Sequence, residues 1–271
     1  MSLERFHFTS HPEIEAPSLI VGWMRNTGGV GVAVADYLAK ASGSQGLCRI
    51  APTEFFAVGG VEVVDDVARL PQARFFYDER DNAIVMRSDE PQSHRYEFLS
   101  AVLDLAEHYR AERLVTVNGI ASMIPHTGPR HVYGVFNDPR LQRELHGQVP
   151  ADLTWQGTPH TSTYLLWLAG RRPLPGVGLW VEVPFYLANY EDAQAVRTVI
   201  ELFGGIFERR YDLSEFDARI SEQDEALAEM RQEEPEIDAR ISAVERGETL
   251  SKDEQLELIE AVEGALQGHS G

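Results

Sequence analysis

The feature that most constrains this chain is the run Leu19-Ile20-Val21-Gly22-Trp23-Met24, six residues with no charged or alternating polar position. A strand with one wet face would alternate, and six residues are too few for a buried helix. The run therefore predicts a strand covered on both faces, which a chain satisfies by laying helices above and below a sheet. The glycine-rich turn Arg25-Asn26-Thr27-Gly28-Gly29-Val30-Gly31 ends it, and Val32-Ala33-Val34-Ala35-Asp36-Tyr37-Leu38-Ala39 follows with the alanine and leucine content of a helix.

The same alternation continues downstream. Leu47 to Ile50, Phe75-Phe76-Tyr77 and Ala83-Ile84-Val85-Met86 read as strands, the last two joined through Asp81-Asn82 as a hairpin. Residues 93–110 place Tyr96, Leu99, Leu103 and Ala106 at steps of three and four, one apolar face of a helix. Leu114-Val115-Thr116-Val117 and Val132-Tyr133-Gly134-Val135-Phe136 are further strands, and Asp138 caps a short helix opened by Pro139. Residues 161–169 read as a helix, Leu179-Trp180-Val181-Glu182-Val183 as a strand closed by Pro184, and residues 191–207 as a long helix with Ala195, Val199 and Leu202 along one side.

At 271 residues the chain exceeds the roughly 100–200 residues of one ordinary domain, and its composition changes near Tyr211. From Asp212 onward 18 acidic residues face 5 basic ones, so −13 of the net charge of −19 lies in the last fifth of the chain. Phe216, Ile220, Leu227 and Met230, then Ile237, Ile241 and Val244, then Leu256, Ile259, Val262 and Leu266 give helices with a narrow apolar stripe. Pro235 and Gly247 separate them, and Ser251 with Glu254 forms a capping box for the last. The expected division is a core over residues 1–211 and an acidic helical extension over residues 212–271. The negative charge repels phosphate backbones and anionic lipid, which argues against nucleic-acid and membrane partners. No export signal or spanning segment is read at Met1-Ser2-Leu3-Glu4-Arg5-Phe6 or later, and the lone Cys48 reads as a core residue, so a reducing cytoplasm is expected.

Three places carry polar groups where an open α/β sheet binds ligands. Gly28, Gly29 and Gly31 sit where strand hands over to helix, a position that can hold an anion on free N–H groups. The loop lacks the full dinucleotide spacing and a phosphate-clamping lysine, and the plainer reading is a tight turn with close helix packing. Asn118 and Gly119, followed by His126, Thr127, Gly128, Pro129, Arg130 and His131, lie beyond the end of a strand. Arg130 with a histidine suits a carboxylate or phosphate, although polar loop residues exposed for no catalytic reason are the commoner case; the histidines lack metal-ligand spacing, so no metal is expected. Glu182 leaves the end of an apolar strand, where burial would make it an acid or base, although a carboxylate bonded to neighbouring loop backbone is the preferred role. Ser162 and Thr163 beside His160 lack a nucleophile elbow and read as caps of the following helix. No catalytic set and no cofactor motif emerges.

Taken in order, Ile20-Val21-Gly22-Trp23-Met24 with Gly28-Gly29-Val30-Gly31, the Asn118-Gly119 turn, and Trp180-Val181-Glu182-Val183-Pro184-Phe185-Tyr186 before Glu191-Asp192-Ala193 resemble bacterial members of the proteasome assembly chaperone 2 family. The resemblance spans most of residues 15–210 and, with the arginine-rich composition and the tail, fits the actinobacterial branch. It implies a three-layer α/β/α core of the phosphorylase/hydrolase-like fold and self-association into a homo-oligomer such as a trimer. Eukaryotic relatives help assemble proteasome α-rings, some related chaperones docking by a C-terminal hydrophobic-Tyr-X motif; this chain ends Gln267-Gly268-His269-Ser270-Gly271, without it. The leading expectation is a non-catalytic protein-binding or assembly factor, with proteasome subunits or another protein as partner. The alternatives are a nucleoside hydrolase- or phosphorylase-like enzyme, or a small-anion sensor, either using Gly28, Gly29, Gly31, Asn118, Gly119, His126, Arg130 and Glu182 at the C-terminal edge of the sheet.

Overall fold

The computed structural model of the chain describes residues 3–41, 43, 45–56, 61–64, 66–149 and 160–268. Met1-Ser2, Pro159 and His269-Ser270-Gly271, on which some sequence readings drew, lie outside the described residues. In chain order the elements are β1 (Phe6–Phe8), β2 (Ser18–Trp23), α1 (Val30–Ala41), β3 (Gln45–Ile50), β4 (Glu62–Val64), β5 (Val67–Arg69), β6 (Ala73–Asp78), β7 (Ala83–Ser88), α2 (Arg95–His108), β8 (Arg113–Ser122), β9 (Val132–Phe136), α3 (Pro139–Glu144), α4 (Thr161–Ala169), β10 (Gly176–Pro184), α5 (Ala193–Ile206), α6 (Ser214–Glu233), α7 (Pro235–Glu245) and α8 (Lys252–Gly268). This is a mixed α/β fold, as the alternation of runs requires.

One eight-stranded sheet has the order β1-β3-β6-β7-β2-β8-β10-β9, and β4-β5 form a separate two-stranded ribbon. The founding run, β2, lies inside the sheet with all six residues buried. It pairs in parallel with β7 and β8, Val21 standing opposite both Met86 and Thr116. The expected hairpin is present as antiparallel β6 and β7, with Asn82 in the left-handed region that tight connections use. β3 and then β1 extend the sheet antiparallel to its edge. Four differences from the sequence reading share a cause. β1, β4 and β5 have three residues each and no apolar run to announce them, while β8 continues to Ser122 through residues whose side chains are partly wet.

The chain resolves into two compact units. The first comprises Met1–Arg25, Gly31–Asn118 and Tyr133–Leu179. Its core is aromatic: the Phe98 ring packs edge-on against Phe55 and Phe56 at centroid distances of 5.1 and 5.8 Å and lies 6.4 Å from Trp23. Here α1 crosses β2 with almost no gap, because a Cβ at Gly22 would sit 2.0 Å from the Gly31 carbonyl oxygen. Cys48 belongs to this core, and burial pushes its thiol up to about 12, which keeps it protonated and unreactive.

The second unit comprises Asn26–Val30, Gly119–Val132 and Trp180–Gly271, so α6, α7 and α8 cluster with α5. Phe203, Phe216, Leu227, Ile241 and Val262 are buried in it. The tail stripe is as read except on α8, where Leu256 is 58% exposed and Leu258 takes the buried position four residues before Val262. Pro235 separates α6 from α7 as expected, by standing at the first position of α7, and the capping box closes with Ser251 N–H donating to Glu254 Oε2 at 2.8 Å and Glu254 N–H to Ser251 Oγ at 3.4 Å.

Candidate functional site

In the first unit a buried polar chain lies where β2 and β8 meet the start of α4. Trp23 Nε1 donates to Ser162 Oγ at 2.8 Å, and Ser162 Oγ donates to Asn118 Oδ1 at 2.6 Å. The Asn118 amide then donates at 3.4 Å to both Thr116 Oγ1 and the Leu179 carbonyl. Each group is needed because an indole N–H and an amide with no partner would cost their full desolvation when buried. The Ser162 hydroxyl is thus committed twice over, and the bond that Ser162 shares with the neighbouring His160 ring is made by its backbone N–H. His160 caps α4 through Nδ1, accepting from Ser162 N–H at 3.2 Å, which refines the expectation that polar residues there cap the helix. Thr161 Oγ1 donates to Glu90 Oε2 at 2.5 Å, and burial, opposed by the Glu90 charge, holds the His160 pKa below its ordinary value.

The second unit gathers the remaining candidates except Gly31, which belongs to the first unit and serves there as the surface against which Gly22 packs. Gly28 and Gly29 have φ of 65° and 58°, a conformation that favours glycine. Their N–H groups, the donors an anion would use, go to the carbonyls of Ala188 at 2.8 Å and Asn26 at 3.0 Å. Gly119 permits a close backbone approach, since a Cβ there would stand 2.1 Å from the Thr27 carbonyl oxygen.

Arg130 is the hub. Its side chain is 1% exposed and its partner Asp192 fully buried. Nε donates to Asp192 Oδ2 at 2.7 Å and Nη2 to Oδ1 at 3.4 Å, while Nη1 fans onto the carbonyls of Pro125, His126 and Gly128 at 3.2, 3.2 and 2.7 Å. Asp192 also caps α5 by accepting from Gln194 and Ala195 N–H, both at 3.1 Å, which is why that helix starts at Ala193 and not at Glu191. Arg130 is thus buried, against the plainer reading of an exposed polar loop, and the anion it holds is a carboxylate of the protein itself.

His126 is buried against Tyr186. Its backbone N–H donates to the phenolic oxygen at 2.7 Å, and its Nδ1 shares a hydrogen bond with the same oxygen at 2.9 Å. Burial first, then the Arg231 and Arg130 cations, opposed by Glu245, lower the His126 pKa to about 4. Burial likewise raises the Tyr186 pKa, keeping the phenol protonated. Glu182 is bound differently from the expectation of a backbone partner: its Oε2 meets Nδ1 of the exposed His131 at 2.8 Å, and it is the Glu182 N–H that bonds the His131 carbonyl, at 3.0 Å.

Sequence reasoning named Asn118, His126, Arg130 and Glu182 and missed Asp192 and Tyr186 as their partners. The Asp192-Ala193 pairing at a helix start was the one available signal, since a cap aspartate facing a lone arginine can serve both. Among the described residues no group of three or more His, Cys, Asp or Glu side chains is arranged to hold a metal ion, and no helix is long and apolar enough to cross a membrane.

Comparison with solved structures places this fold among known proteins. A Mycobacterium tuberculosis protein of unknown function superposes with a TM-score of 0.78 at 18% identity, covering 91% of each chain. An archaeal proteasome activator from Pyrococcus furiosus gives 0.71 at 20% identity, over 83% of this chain and 98% of its own. A Mycobacterium tuberculosis proteasome-assembly chaperone homologue gives 0.68 at 15%, over 78% and 94%. No curated protein sequence matches significantly. The PAC2 family model matches residues 19–231, most of the chain and the whole span of the site just described; the chain belongs to the PAC2 family.

Proposed function

We propose that this chain is a non-catalytic protein-binding factor of the proteasome-assembly-chaperone kind, self-associating, with proteasome subunits as its partner and residues 212–271 as its acidic helical extension. Family membership and the names borne by its structural relatives support the role and the partner class. The polar residues with ligand-binding potential, Arg130, His126 and Asn118, are occupied with other parts of the protein, which favours binding by surface over chemistry in a pocket.

The observation that carries the reading is on α4. Tyr164 and Trp167 stack in the open with centroids 5.8 Å apart and planes 27° apart, and the Arg171 guanidinium lies 4.6 Å from the Trp167 ring. Trp167 is 52% exposed. Tryptophan and tyrosine on one helical face, with an arginine from the turn just after the helix, are the residue types that dominate protein interfaces, pre-organised here by their own stacking. The test is calorimetric titration of the chain with purified proteasome α-subunits from the same organism, beside the variant Trp167→Ala. Binding that weakens by roughly thirtyfold in the variant is expected for a central anchor of about 2 kcal/mol. Absence of binding by the unaltered chain, to free subunits and to assembled rings alike, removes the assignment.

A further inference from the structure

The register of the edge strands aligns four basic residues in one row across the sheet. His7 stands opposite Arg49, Arg49 opposite Arg74, and Arg74 opposite Arg87. Neighbours in such a row are about 5 Å apart, and like charges facing one another destabilise a sheet. Only the last is neutralised in place, Arg87 reaching Asp36 of α1 at 2.7 Å. Arg74 bonds the neutral Gln72 side chain, and among the described residues no carboxylate pairs with Arg49. His7, Arg49 and Arg74 are exposed. They border an open groove of about 460 Å³ with Phe76, and at Gly46 a Cβ would meet no atom within 4 Å. Against 43 acidic residues, the chain's 24 Lys and Arg include two, Arg49 and Arg74, that stand side by side here with no carboxylate paired to either among the described residues, and His7 lies next in the row.

We infer that this cationic face seats the acidic outer face of α6 from a second copy of the chain. That helix exposes Glu222, Glu225 and Glu233, with Glu229 between them on the same face. Their steps of three and four residues put carboxylates about 5 to 6 Å apart along the helix, close to the spacing of the row. Of the cations on α6, Arg231 binds Asp238 and Glu245, and Arg219 binds Glu191 while also feeling the Glu222 charge. The two faces differ and belong to different parts of the chain, so the contact is head-to-tail and closes a ring when the rotation permits. The net charge of −19 does not prevent it, because at physiological salt charges beyond about 8 Å are screened and the local row decides.

This inference rests on the self-association included in the proposed function, and a charge swap separates the two. Arg49→Glu with Arg74→Glu in one preparation, and Glu225→Arg with Glu229→Arg in another, are measured by sedimentation equilibrium alone and mixed, each first verified as folded by circular dichroism. The expected result is an oligomer of the unaltered chain that weakens with salt, roughly a hundredfold weaker association for each variant alone, and recovery in the mixture. A monomeric unaltered chain at about 50 mM salt overturns both the interface and the self-association. An oligomer that both variants leave unchanged, or a mixture in which the two variants do not associate with each other, overturns this interface alone.

Discussion

Asp192 accepts from two donors of Arg130 and two backbone N–H groups, all in a place water does not reach. Burying such a pair costs desolvation that good geometry only repays, but breaking it strands a charge. Asp192→Asn keeps an oxygen for the helix cap and removes the counter-charge; it is expected to lower unfolding free energy by about 3–5 kcal/mol in urea titration. His126 supplies a pH effect whose sign follows from its lowered pKa of about 4. Below an unfolded value of about 6.5 the unfolded chain takes up a proton that the folded chain refuses until about pH 4, so stability falls as pH drops through that window. Between pH 7 and 5 the loss is of order 2 kcal/mol, and His126→Gln is expected to lose less over the same interval when urea midpoints are compared. The sequence marked these residues as polar groups beyond strand ends, but their partners were not legible in it. Arg130 and Asp192 stand 62 positions apart, and nothing in either local motif says that a loop arginine with ligand-binding character finds its carboxylate at the start of α5.

At the scale of elements, the contact of α1 with β2 depends on the absence of a single side chain. A Cβ at Gly22 would lie 2.0 Å from the Gly31 carbonyl oxygen and 2.9 Å from Ala35 Cβ, and backbone cannot yield as a flexible side chain would. Gly22→Ala is expected to cost about 3 kcal/mol or more and to lower the melting temperature by roughly 6–12 °C. Here the sequence was informative, because the apolar run of β2, the glycine turn and the alanine-rich α1 all bear on one local unit, and the helix of residues 161–169 matches α4 at both ends. It was uninformative where an element is held by its neighbours. β1 is three residues whose strand character comes from pairing with β3, and β4 and β5 pair only with each other. On α8 the error was one of phase: Leu256 and Leu258 both fit an apolar spacing, and only packing against the other helices chooses between them.

At the scale of the whole molecule the surplus of 19 negative charges repels itself, and most of it is on the last three helices. Raising NaCl from roughly 0.02 to 0.5 M is expected to raise the melting temperature by a few degrees, since screening relieves repulsion summed over many groups while weakening ion pairs worth little individually. A fall instead would mean that networks such as Arg231 with Asp238 and Glu245 dominate. The acidic tail and the α/β class were readable from composition and periodicity, whereas the division into two units was not, because both units draw on separated stretches of chain. The Arg130 fan has a kinetic consequence as well. It fastens the 119–132 segment to a helix start 62 residues away, a loop that chain entropy closes late. A contact made after the rate-limiting barrier leaves the refolding rate nearly untouched when it is lost and shows itself in the opposite direction. For Asp192→Asn the folding arm of the chevron should therefore superpose on that of the unaltered chain, with nearly all the lost stability appearing as faster unfolding, and the lifetime of the native state would be set by one buried ion pair.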